Sequence, residues 1–202
     1  MVVMVVYANL CCMVALTLLA SATYLASVRP GAWEKRIGPS AYVRSNRYRS
    51  ITAVLIMLIT ITYVLYALFP LPMIPPHLAW RWWISALIAC LLATPGLYLT
   101  VQGVSDTGEG TLVVRKDQPL YAGIYRHIRH PQAVGELLLW LAIAFLLHSP
   151  FLVFYSLLWL PLHVWFCLAE ERDLLLRYGE AYQAYQQQAG FWWPRIRGNT
   201  GA

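Results

Sequence analysis

Charge is what this chain has least of. Of its 202 residues only 9 are Asp or Glu and 15 are Lys or Arg, 12% in all, against roughly 25% in a soluble globular protein. Too little polar surface is available to cover a water-soluble fold, and 59% of the residues are hydrophobic. The first 28 residues, Met1 to Val28, carry no charge at all, and no basic residue precedes them. That run outlasts the roughly 7–15-residue core of a signal peptide, so it reads as a retained membrane helix. The four cysteines, Cys11, Cys12, Cys90 and Cys167, show no CxxC spacing and fall in apolar runs, where packing explains them better than disulfides or metal ligands. No metal is expected. No GxGxxG fingerprint is present either, since Gly108 and Gly110 make only a lone GxG. With no internal repeat, low-complexity tract or long linker, residues 1–202 read as a single membrane domain.

What is present is a series of apolar runs close to the roughly 20 residues that cross a bilayer. After the first, Ile51 to Phe69 forms a second, stopped by PLPMIPPH, whose prolines cannot continue a helix. The third runs from about Ile84 to Gln102 and contains Pro95 and Gly96, which predict a kink. The fourth, about Ala133 to Leu147, and the fifth, about Phe151 to Ala169, are separated only by His148, Ser149 and Pro150, so they form an antiparallel hairpin. The expected fold is all-α, a polytopic membrane bundle of about five transmembrane helices with a C-terminal interfacial helix. That last helix is DLLLRYGEAYQAYQQQ, where Leu175, Tyr178, Tyr182 and Tyr185 are spaced to share a face.

The basic residues orient it. Arg29, Lys35, Arg36, Arg44, Arg47 and Arg49 fall between the first two runs, Arg115, Lys116, Arg126 and Arg129 between the third and fourth, and Arg172, Arg177, Arg195 and Arg197 after the fifth. Only Arg81 lies on the other face, beside WRWW at 80–83, which suits an aromatic belt. The positive-inside rule then puts the N-terminus outside and the C-terminus in the cytoplasm, and a multi-pass protein of a cell inner membrane is expected. The net charge of +6 reflects this topology and contact with membrane lipids; it implies no nucleic-acid partner.

Ionisable residues at the membrane boundary mark the candidate site. One group is GIYRHIRHPQAVGE, residues 123–136. Pro131 stands where a helix accepts proline, His130 near its cap, and Arg126 and Arg129 add to the positive helix terminus, a ready place for a carboxylate or phosphate. Glu136 falls one turn into the apolar run, where an unpaired carboxylate is costly, so it pairs with an arginine or a ligand. Tyr121 and Tyr125 offer aromatic faces. The other group is Glu170 and Glu171, directly after the fifth run, where adjacent carboxylates oppose the helix macrodipole. The hairpin brings both groups to one level, and an anion-binding wall facing carboxylates suits a zwitterionic, hydroxylated ligand.

These residues resemble the small integral-membrane methyltransferases typified by isoprenylcysteine carboxyl methyltransferase, alongside phosphatidylethanolamine and related phospholipid N-methyltransferases. The likeness spans roughly residues 100–194. Gly123, Tyr125, Arg129, His130, Pro131 and Gly135 look like that family's glycine, tyrosine, Arg-His-Pro and glycine, and Glu170, Glu171, Tyr178, Gly179, Tyr182 and Tyr185 look like its Glu-Glu pair and tyrosine tail. The resemblance implies that residues 103–202 are the cofactor-binding half, after three spans in 1–102. It implies S-adenosylmethionine as cofactor, bound at the cytoplasmic edge by Gly123, Tyr125, Arg129, His130, Pro131, Glu170 and Glu171. It also implies a lipophilic acceptor from the bilayer, an isoprenylcysteine carboxylate or a lipid headgroup. Two positions depart from the pattern: Ala133 replaces a tyrosine, and Trp165, Phe166 and Cys167 fill the turn where an acceptor-side arginine is common. Glu136 and His163 then become the acceptor-side candidates. The same pattern is similar to membrane sterol reductases that use a reduced nicotinamide, and a non-catalytic membrane protein on this fold is the third reading.

Overall fold

The computed structural model describes residues 2–107, 113–114, 116 and 122–195. Gly108, Gly110, Arg115, Tyr121 and Arg197 lie outside the described residues. The helices are α1 (Val2–Ser27), α2 (Pro30–Ile37), α3 (Ser40–Leu68), α4 (Trp82–Thr107), α5 (Pro131–Leu146), α6 (Pro150–Leu157), α7 (Trp159–Tyr178) and α8 (Glu180–Gln188), with a 3-10 turn at Gly123–Arg126. Four helical stretches are long and apolar enough to cross a membrane: Val3–Ser27, Ser40–Leu68, Trp82–Thr107 and Pro150–Tyr178; α5 is a shorter apolar helix of 16 residues. Their outer faces are apolar, with Leu18, Met57, Leu91, Val101 and Phe154 exposed, because lipid solvates such side chains as well as a core does. The bundle is an integral membrane protein.

Three elements differ from the sequence expectation, each for a local reason. α3 starts at Ser40, eleven residues before its apolar run at Ile51, since hydropathy marks only the part of a helix inside the bilayer. The fifth span breaks at Leu158, because Pro161 has no N–H to continue the α-helical ladder back to Leu157. The tail is two helices, α7 running on through Tyr178 and α8 starting after Gly179, whose φ of 52° turns the chain. Leu174, Leu175, Tyr178, Tyr182 and Tyr185 nevertheless pack together across that turn.

Helices α4 and α5 approach closely at Gly96 and Gly135. A Cβ on Gly135 would stand 2.7 Å from the Gly96 carbonyl oxygen and 2.9 Å from the Thr100 amide nitrogen, the small-residue contact that lets membrane helices touch backbone to backbone. α5 returns through His148 to α6, where Ser149 caps the helix by accepting from the Leu152 amide. The buried centre is aromatic: Tyr63, Tyr66, Trp140, Tyr155 and Trp159, with Met13, Ile59 and Leu152. Several of its polar groups pair within the protein, as an apolar surrounding favours. Trp159 Nε1 donates to Tyr63 Oη (3.3 Å), Tyr63 Oη meets Ser156 Oγ (3.2 Å), and Ser156 Oγ donates to the Trp140 carbonyl (3.2 Å).

A carboxylate of α7 also ties down α2, the short helix between α1 and α3. Arg29, at the N-cap of α2, has no acceptor to offer the first amides of that helix. Asp173 of α7 accepts from the Gly31 and Ala32 amides at 3.2 and 3.0 Å, and from Arg177 Nε at 3.0 Å. The negative charge thus sits at the positive end of α2, and a cavity is left between α3, α5 and α7.

Candidate functional site

The site grows from the turn that starts α5. Gly123 has φ 51°, and a Cβ there would collide with the Asp106 carboxylate, which accepts from the Ile124 amide at 2.6 Å. Only glycine lets the chain pass so close to the end of α4. The turn that follows holds Tyr125, whose hydroxyl accepts from Gln132 Nε2 at 2.9 Å. His130 is the N-cap and Pro131 the first residue of α5. The tail clamps this turn by its backbone: the Arg129 amide donates to the Gly190 carbonyl (2.8 Å), the Gly190 amide to the His127 carbonyl (3.0 Å), and Tyr185 Oη to the Tyr125 carbonyl (2.7 Å).

Arg129 joins the two sequence motifs. Its Nε donates to Glu171 Oε1 at 2.6 Å, and one terminal nitrogen reaches the Gln186 and Ala189 carbonyls at 3.1 and 2.6 Å. Glu171 also receives His130 Nε2 at 3.1 Å and Gln186 Nε2 at 2.9 Å. Three donors thus reach this buried carboxylate, two at Oε1 and one at Oε2. Glu170, the preceding residue, points elsewhere: its side chain is 31% exposed against 9% for Glu171, and its nearest cation is His130 Nδ1 at 3.7 Å.

Between the helices lies a cavity of about 280 Å³. Of the residues named from the sequence, Tyr125, Arg129, His130, Glu136, His163 and Glu170 line it. Gly123, Pro131 and Glu171 stand behind the wall: Gly123 shapes the turn, Pro131 is buried at the start of α5, and Glu171 holds Arg129 and His130. The polar mouth is formed by Tyr125, Glu170, Tyr178, Tyr182 and Tyr185, and the floor by Trp140 and Trp159, stacked with centroids 5.1 Å apart.

Near the floor Glu136 and His163 form a second polar pair, with His163 Nε2 3.4 Å from Glu136 Oε2. His163 Nδ1 stands 2.8 Å from the Trp159 carbonyl. A carbonyl only accepts, so that nitrogen carries a proton. Nε2 can then meet a carboxylate favourably only if one further proton is held between the two side chains. His163 is buried, while the Glu136 side chain is 44% exposed and reaches into the cavity.

His130 is cationic. Burial of its ring works against charge, but its hydrogen bonds to Cys167 and Glu171, with Glu170 nearby, push its pKa up to about 10. A raised histidine pKa stabilises the fold in full below the ordinary value of about 6.5. That contribution is lost as pH rises through about 10. Unfolding in detergent is therefore expected to become easier across this alkaline window, and His130→Asn to flatten the dependence. An unchanged slope in the variant would contradict the assignment. Burial, then the charge of Glu170, also raises Tyr125, and burial with Glu171 raises Tyr182, so both phenols stay protonated donors.

Wall residues not foreseen from the sequence include Tyr24 and Ser27 on α1, Arg49 and Thr52 on α3, and the floor tryptophans Trp140 and Trp159. The one available signal was Arg49, the last cation before the second apolar run. The Gly190–Phe191 clamp was also missed, because backbone pairing leaves no side-chain signature.

No curated protein and no solved structure matches the chain. Residues 84–181, from the start of α4 into α8, match the family model described as phospholipid methyltransferase. That stretch, just under half of the chain, contains the α5 turn, the Glu136–His163 pair and the Glu170–Glu171 pair, and over it the chain is similar to the phospholipid methyltransferases.

Proposed function

We propose that the protein is an S-adenosylmethionine-dependent methyltransferase that acts on a lipophilic acceptor at the cytoplasmic face of a cell inner membrane. The observation that carries this reading is one cavity with two chemistries: a mouth with Glu170 and tyrosines, and a floor of stacked tryptophans with a proton-holding pair beside it. The positions of the basic residues favour the cytoplasmic side for the mouth.

The residues at the mouth suit the cofactor. An amino acid ammonium and ribose hydroxyls need acceptors, which Glu170 supplies because Glu171, not Glu170, is consumed by Arg129. A carboxylate needs cationic donors, and His130 and Arg129 line the same wall. Tyr125, Tyr178 and Tyr182 give aromatic faces for a base and a sulfonium. S-Adenosylmethionine, when bound, supplies an electrophilic methyl group. The chain's own part is to orient the acceptor, to exclude water around it, and to take its proton at Glu136 Oε2 where the acceptor carries one.

Titration calorimetry of the purified protein in detergent tests this. S-Adenosylmethionine is expected to bind in the micromolar to sub-millimolar range, and Glu170→Gln to weaken it about tenfold, the loss of one charge-assisted hydrogen bond. Binding of a reduced nicotinamide dinucleotide in its place would favour the reductase reading and sink this one.

A further inference from the structure

We infer that the hydroxyl of Tyr24, on α1, holds the reacting head group of the acceptor by a hydrogen bond; this rests on the cavity being the methyl-transfer site proposed above. Ala20, Tyr24, Ser27 and Val28 line the cavity. Steps of four, seven and eight residues from Ala20 follow one face of a helix, so the last turns of α1 form part of the wall. From α7, His163, Phe166 and Glu170 line the same cavity, again along one helix face. The ring centroid of Tyr24 stands 4.8 Å from that of Phe166, and Phe166 stands 5.8 Å from His163. Tyr24 therefore lies at the level between the mouth acid Glu170 and the floor pair Glu136 and His163, and the charges of Glu170 and Glu136 both act on its phenol.

Three other phenols of the cavity already serve the fold. Tyr125 accepts from Gln132 Nε2 at 2.9 Å, Tyr178 donates to the Lys116 carbonyl at 3.0 Å, and Tyr185 donates to the Tyr125 carbonyl at 2.7 Å. Tyr24 is half-buried, its ring packs on Phe166, and among the described residues its hydroxyl makes no hydrogen bond. Such a group in an apolar surrounding costs free energy until a partner meets it, which marks it as a binding group. A phenol both donates and accepts. It can accept from an amine N–H, or donate to the carboxylate oxygen that is not attacking. Either bond turns the nucleophile's lone pair toward the mouth, the side on which the cofactor is proposed to bind. The nucleophile then bonds to the methyl carbon as the carbon–sulfur bond breaks, with its electron pair left on sulfur; Tyr24 keeps its own proton, and its part is alignment. α1 lies outside residues 84–181, so this group comes from the part of the chain that the family match does not cover.

The test is Tyr24→Phe in the full chain, in a non-ionic detergent. It removes only an oxygen that makes no hydrogen bond within the protein, so its unfolding midpoint should match wild type; a lower midpoint would give the hydroxyl a structural partner and count against the inference. Calorimetry with dodecylamine and with dodecanoate then reads the site. At least one should bind the wild-type protein and lose about tenfold in Tyr24→Phe, the loss of one hydrogen bond to a charged group, while S-adenosylmethionine affinity stays within about threefold. Which probe loses affinity tells an amine head group from a carboxylate. With radiolabelled methyl donor and membrane lipids, the variant should also lower kcat at saturating cofactor by about tenfold, whereas Tyr98→Phe, exposed on α4, should change nothing. Unchanged probe affinity in Tyr24→Phe, or no binding of either probe to wild type, would overturn the inference. So would an equal loss of S-adenosylmethionine affinity, which would put Tyr24 on the cofactor side. A wild-type protein that bound a probe through Tyr24 but not S-adenosylmethionine would refute the methyltransferase reading and leave the head-group site standing.

Discussion

Arg129→Ala will cost the fold about 3–5 kcal/mol, the usual consequence of stripping one partner from a buried ion pair. The reason is what remains: Glu171, 9% exposed, would keep only His130 and Gln186, and two carbonyls of the tail would lose their donor. Arg129→Lys should recover little, because a single ammonium cannot meet Glu171 with one nitrogen and the Gln186 and Ala189 carbonyls with another. Glu171→Gln should cost less than the alanine change, since an amide oxygen still accepts from Nε. Denaturant unfolding in detergent measures all three, and proteolysis after Gln188 reports the release of the tail. An alanine variant within about 1 kcal/mol of wild type would show that the motif does not depend on this pair.

This pair also marks where reading the sequence succeeds and where it stops. Arg129, His130, Glu170 and Glu171 were legible because charges beside apolar runs are conspicuous, and the three-residue link at His148–Pro150 forces the two groups to one level. Their division of labour was not. Adjacent residues on a helix point about 100° apart, so of Glu170 and Glu171 one faces the cavity and the other the tail, and hydropathy does not say which. The spans themselves were read correctly from length and apolarity, whereas the Leu158 break and the turn at Gly179 depend on a missing amide and a left-handed φ. The contribution of α1 and α3 to the cavity is a matter of helix packing. It includes contacts such as Asp173 reaching the amides of α2, across more than 140 positions, that no local pattern encodes.

Glu136→Gln will lower the rate of methyl transfer by about 10²-fold or more, within the range for loss of a positioned acid or base, while leaving S-adenosylmethionine affinity within about threefold. The effect follows from the proton count at His163. With Nδ1 on the Trp159 carbonyl, Nε2 faces Glu136 Oε2 at 3.4 Å, and Glu136, the more exposed of the two side chains, is the one placed to exchange a proton with an acceptor in the cavity. Glutamine keeps the size and a hydrogen bond to Nε2 but cannot take a proton. An amine acceptor, which must lose a proton to become a nucleophile, would therefore be strongly affected. A carboxylate or thiolate acceptor, already ionised, would need only positioning and desolvation, and the same substitution would slow it less than about tenfold. Radiolabelled methyl donor offered with membrane lipids, run on wild type and Glu136→Gln, thus reads both the role of the residue and the charge state in which the acceptor enters. An amine acceptor methylated at the wild-type rate by the variant would remove Glu136 from the proton path and leave His163 as a packing residue held by Trp159.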